Sequence, residues 1–181
     1  MNRTRTIQVR KDLIKMMRES AEYIGRDFTE PDDDWIFVMM GYSPDGARVI
    51  GVDPAMFDTE EGKDRLAEAL AAFAQENGFV AYGMVISMWY YEIGKETADA
   101  LDRAGKGWPK ASQSPNRKEG LLIIGADRFG EEGISADIIR HEGKPPTLTE
   151  WKPMPNDDGP GESHIEGRFV EPMRRALRHQ G

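Results

Sequence analysis

Apolar positions along the chain fall into stretches of helical period and stretches of strand period. From Lys11 to Ile24, Leu13, Met16, Met17, Ser20 and Ile24 recur at the intervals of one helix face, with Lys15, Arg18 and Glu22 between them. Gly25 follows, a residue suited to a helix end. The run WIFVMMGY, Trp35 to Tyr42, is apolar throughout and of strand length, which predicts a central strand covered on both faces. SPDG, Ser43 to Gly46, has the Pro and Gly placement of a type I turn, and ARVIGV completes a hairpin. A second helix is predicted to begin at Asp58, with Glu61 placed as in a capping box. Leu66, Ala69, Leu70 and Phe73 form its apolar stripe, and Asn77-Gly78 ends it.

Phe79 to Tyr91 reads as a long strand rich in aromatic and β-branched residues, and Leu121 to Ala126 as another. DRFGEEG makes a turn. Ile134, Ala136 and Ile138 then share one face of a further strand that runs to Arg140, and Thr147 to Trp151 adds a short edge strand. The order α-β-β-α-β-(insert)-β-β predicts an α+β fold: an antiparallel sheet of about five strands with the two main helices on one face. Residues 1–151 form one domain carrying an insertion at 92–118. Residues 152–181 form a linker of Pro, Gly and Asp followed by a short basic helix or tail from Phe169 to His179.

Composition narrows the chemistry. The 181 residues suit a single core. Thirty-two acidic against 24 basic side chains leave a formal net charge of −8, which opposes phosphate backbones and anionic membranes and argues against a nucleic-acid partner. The lack of Cys excludes disulfides, thiol nucleophiles and Cys-ligated zinc. The charged N-terminus lacks the apolar core of a secretory signal, and no apolar run reaches the roughly 18 residues of a membrane span. The expected location is the cytoplasm. His141, His164 and His179 show no zinc-helix spacing, and neither a G-x-S-x-G elbow nor a Walker loop occurs. NDDGPGE, Asn156 to Glu162, lacks the spaced ligands of an EF-hand. No cofactor and no tight metal site are expected.

The excursion between the two long strands, about Glu92 to Lys118, exceeds most loops in compact domains. Its second half, GKGWPKASQSPNRK, is polar and basic. It reads either as a tolerated hairpin extension or as a binding arm. Trp108 is its large apolar group, flanked by Lys106 and Lys110. With Tyr91 at the strand end these four are the candidate partner-binding residues. Trp89, Tyr90 and Tyr91 are consecutive, so a strand must show aromatic rings on both faces.

Ser87 and Trp89 near the end of one strand, a Pro-containing spacer, and Arg117 and Glu119 opening the next form a pattern that resembles uncharacterised bacterial and phage α+β proteins. The resemblance covers Phe79 to Trp151. It departs from the pattern at Met88, where an acidic residue is usual, and it implies no activity.

Carboxylates are the remaining candidate chemistry. Asp53, Glu92, Glu119, Asp127 and Asp137 lie at or near predicted strand ends. Two or three of them converging on Mg²⁺ would make a metal-dependent hydrolase or nuclease. Their spacing matches no such pattern. The favoured expectation is a non-catalytic accessory or structural protein that binds another protein or itself, with the hydrolase as the alternative.

Overall fold

The computed structural model describes residues 1–91, 100, 103–105, 114–154 and 169–178. Helix α1 spans Arg3–Arg26. It begins well before Lys11 because Asn2 caps it, accepting from the Arg5 amide at 2.9 Å, and because Thr6 and Arg10 extend its buried stripe through Leu13, Met17 and Ala21. Those two residues are polar, so apolar periodicity did not mark the first turns. Strands β1 (Val38–Ser43) and β2 (Gly46–Gly51) make the expected hairpin. Asp53 then caps a 3₁₀ turn, Pro54–Phe57, and Asp58 closes it. The N-cap of α2 (Glu60–Glu76) is therefore Thr59 rather than Asp58, accepting from the Gly62 amide at 3.0 Å.

Strands β3 (Ala81–Tyr90), β4 (Lys118–Asp127) and β5 (Gly130–His141) are the long members of the sheet. Strands β6 (Lys144–Leu148) and β7 (Lys152–Pro153) both pair with β5, and helix α3 spans Val170–Arg178. Every pairing is antiparallel, in the order β2-β1-β3-β4-β5-β6 with β7 beside β5. Among the described residues the sheet thus has seven strands rather than about five. The extra pairing comes from the segment after β5, which returns along the same edge in two short pieces.

The helices cover both faces, not one. Leu121 and Ile123 of β4 and Val85 of β3 pack toward α1 with Met17 and Ala21. Met84, Ile124 and Ala126 point the other way, into a cluster with Leu66, Leu70 and Ala74 of α2 and Met173 and Ala176 of α3. Strands that are apolar at every position need two covers. Gly83 and Gly125 are cross-strand partners on the α1 side, and a Cβ on either would lie 2.8 Å from Met17 Sδ or 2.6 Å from Ile14 Cγ1. This bare spot lets α1 lie close to the sheet.

Of the helix or tail expected from Phe169 to His179, the structure has the helix, α3, and packs it against the sheet. Met173 and Ala176 are fully buried, and Arg174 donates to Glu131 of β5 through Nε and, at 2.8 Å, through Nη2. On the opposite face Arg10 of α1 meets Asp127 at 3.2 Å and Glu132 at 2.8 Å. No helix among the described residues is long and apolar enough to cross a membrane.

Leu70 is 3% exposed and packs with Phe37 and Met39 of the β1 region. Leu70→Ala is expected to lower stability by about 2–5 kcal/mol in urea unfolding at an unchanged denaturant slope. A loss below about 0.5 kcal/mol, the scale of a surface substitution, would show that α2 does not pack there.

Candidate functional site

Where β3 ends and β4 begins, polar and aromatic side chains crowd both faces. On the α1 side Arg140 donates to Glu119 in a two-point contact, Nε to Oε2 at 3.0 Å and Nη2 to Oε1 at 2.7 Å. The same guanidinium reaches Asp34 at 3.1 Å and the Asp33 carbonyl at 2.8 Å, tying β5 to the connection between α1 and β1. The Glu119 hydrogen bond, with the Asp34 and Glu119 charges, holds the Arg140 proton more firmly than usual. Asp33 is pulled below the ordinary carboxyl range by the Glu30 and Thr29 amides that donate to it. Beside this network Trp89 is 43% exposed, with the Arg117 guanidinium 4.9 Å from its ring centroid.

On the other face Tyr90 lies across Gly120, whose missing side chain makes room: a Cβ there would sit 2.9 Å from Tyr90 Cε1. The Tyr90 hydroxyl donates to Asp137, and Lys118 Nζ stands 5.9 Å from the tyrosine ring centroid. The Asp137 amide donates to Thr149 Oγ1 at 2.8 Å. Met88 and Ile139 on this face are each 41% exposed. Period-two alternation carries a half-exposed Trp and a half-exposed Met, at consecutive positions, to opposite sides of the same strand end.

The sequence candidates are only partly gathered here. Tyr91, Glu119 and Asp137 belong to this end of the sheet, but Glu119 and Asp137 point from opposite faces and each is engaged, with Arg140 and with Tyr90. Asp53 caps the 3₁₀ turn after the edge strand β2, accepting from the Ala55 amide at 3.0 Å. Asp127 lies at the far end of β4, eight residues from Glu119, or roughly 26 Å at about 3.3 Å per residue. Glu92, Lys106, Trp108 and Lys110 fall outside the described residues. Among the described residues no three His, Asp or Glu side chains are grouped to hold a metal. A cleft of about 230 Å³ opens between α1 and β6, lined by Gly25, Trp35 and Pro146 among others, below the roughly 300–1,000 Å³ of most ligand sites.

The sequence reading missed Arg140 and Asp34 as parts of this site and Arg10, Glu131 and Arg174 as buried charges. Each pairs with a residue distant in the chain, so no local spacing announces it. Period two in β5 was the available signal, since it sends Glu131 and Glu132 to opposite faces.

Asp127 has a buried side chain, receives the Phe129 amide at 2.6 Å and meets Arg10. Burial raises its pKa, against the lowering effects of the Phe129 amide and Arg10. A raised folded-state pKa favours the protonated carboxyl on folding. That stability is full below the unfolded value of about 3.9 and is lost as pH rises through the folded value. The stability of the wild type relative to Asp127→Asn is therefore expected to fall as pH rises above the unfolded value of about 3.9 in urea unfolding. A relative stability that grows with pH would show that Arg10, rather than burial, sets this carboxyl.

In comparisons with known proteins the chain matches no family model, no curated protein and no solved structure.

Proposed function

We propose that this chain is a non-catalytic cytoplasmic accessory protein, of the bacterial or phage type its strand pattern resembles, that works by binding another protein through the open end of β3, β4 and β5. The observation that carries this reading is Trp89, 43% exposed and stacked with Arg117, with Met88 and Ile139 exposed on the reverse face. Trp and Arg dominate binding energy at protein interfaces, and Met is enriched there. The neighbouring Arg140 contacts with Glu119 and Asp34 hold the polar border of the surface in place before a partner arrives. That reduces the ordering cost of association. The net charge of −8 favours a protein over a nucleic acid as that partner.

The alternative is a metal-dependent hydrolase or nuclease, and it requires strand-end carboxylates to converge. Glu119 is occupied by Arg140, Asp137 by Tyr90, Asp127 by Arg10 at the far end of the sheet, and Asp53 by its cap.

A photoreactive phenylalanine analogue at position 89, introduced in cells that express the chain, is expected to cross-link one discrete protein. The same analogue at Arg65, exposed on α2, is expected to give none. The captured protein should then bind the purified wild type, and Trp89→Ala should weaken that binding at least about tenfold, near 1.4 kcal/mol, without changing thermal unfolding. Cross-links that do not depend on position would remove the surface from consideration. Calorimetry with Mg²⁺ or Mn²⁺ is expected to show no stoichiometric binding at micromolar affinity, and such binding would move the reading to the hydrolase.

A further inference from the structure

The two edges of the sheet are built differently. The β5 side ends in Lys144–Leu148, which contains Pro145 and Pro146, and in Lys152–Pro153. Proline has no N–H to offer, and the β5–β6 register also breaks between Ile139 and His141. These features block addition of another strand. The opposite edge, β2, reads GARVIG. It has no proline, keeps an unbroken register with β1 from Gly51 to Gly46, and leaves Ala47, Arg48 and Val49 exposed.

The directions of the β2 backbone groups follow from its neighbours. The Tyr42 carbonyl accepts from Val80 at 2.8 Å, so Tyr42 turns its backbone toward β3. By alternation Ser43, Gly41 and Met39 turn toward β2 and bond their partners Gly46, Arg48 and Ile50. Ala47, Val49 and Gly51 are left facing outward, each with one N–H and one C=O.

These three residues are symmetric about Val49. In an antiparallel pair of β2 strands related by a two-fold axis through Val49, Val49 bonds its own copy and Ala47 bonds Gly51 of the other chain. All six outward groups are then satisfied. Centring the pair on Arg48 instead would set two guanidiniums against each other and leave Gly51 without a strand partner. In the Val49 register Arg48 stands opposite Ile50, and Val49, 64% exposed, covers its own copy.

We propose that β2 is a homodimerisation edge, pairing with β2 of a second copy about Val49 to join two sheets into one. The occupant is argued from self-complementarity in backbone bonds: within Gly46 to Gly51 no like charges face each other, and the opposition of Asp45 to Asp53 of the other chain falls in the flanking turns, outside the paired strand. A contact of one six-residue strand is smaller than a standard interface of about 1,600 Å², so the dimer is a concentration-dependent one. The proposal does not rest on the Trp89 surface, which occupies other strands.

Sedimentation over a concentration series reaching about 1 mM tests it. The mass is expected to rise from the 20.4 kDa of one chain toward twice that value, and Val49→Lys, which opposes two ammonium groups on the axis, is expected to hold the protein at 20.4 kDa with unchanged thermal unfolding. The chain has no Cys, so Val49→Cys supplies a unique thiol. Bonded antiparallel partners lie about 5.5 Å apart between Cα atoms, within the roughly 4.4–6.8 Å of disulfides. Val49→Cys is expected to form a disulfide-linked dimer under mild oxidation, and Arg48→Cys, offset by two positions and on the other face, is not. A wild type that stays monomeric across the series would overturn the proposal. So would a dimer that Val49→Lys leaves intact, because its interface would then lie elsewhere.

Discussion

Glu131 and Glu132 are adjacent in β5, and the alternation of a strand forces them to opposite faces of the sheet. Each takes an arginine from the helix that covers its face, Arg174 of α3 on one side and Arg10 of α1 on the other. Glu131 is buried, and a buried carboxylate without a cation is strongly unfavourable, so its place in the sheet depends on the docking of α3; Glu132 is partly exposed, and on the α1 side the buried partner is Arg10. Asp127, at the end of the adjoining strand, shares Arg10. The β4–β5 hairpin is thereby a clamp in the middle of a three-layer structure, and both helix positions refer to it.

The same end of the sheet carries Tyr82, fully buried in the row Tyr82, Ala126, Glu131. Burial, and then the charge of Glu131, hold its hydroxyl firmly protonated. Its oxygen has no hydrogen-bond partner among the described residues. The buried charge pair of Glu131 and Arg174 beside it holds α3 in one place. At the opposite end lie the exposed Trp89, Met88 and Ile139. One end of the sheet is closed by buried charge and the other is left open.

Much of the secondary structure was legible because it rests on local pattern. The α2 stripe through Leu66 and Leu70, the hairpin turn at Ser43 to Gly46 and the shared face of Ile134, Ala136 and Ile138 all follow from periods of 3.6 and 2. Element ends were less legible. Thr59 rather than Asp58 caps α2 because Asp58 is taken up by the preceding 3₁₀ turn. The first turns of α1 are buried through Thr6 and Arg10, residues that apolar periodicity does not count. Of the candidate site, consecutive aromatics pointed to both faces of the β3 end, whereas the ion pairs of Arg140 with Glu119 and Asp34 span distant positions.

What the sequence by itself determined is the set of elements and their apolar faces, since helix and strand periods are properties of neighbouring residues. It also determined the exclusion of thiol chemistry. Only the tertiary structure decided that α1 and α2 lie on opposite faces, that α3 belongs to the core, and that the strand-end carboxylates are held by Arg140, Tyr90 and Arg10 and by the Asp53 cap. The physical reason is the range of the interactions. Periodicity tells a segment that it must bury one side, but which partner it buries against is settled by competition among all segments. Charges far apart in the chain find one another only after that competition has been decided.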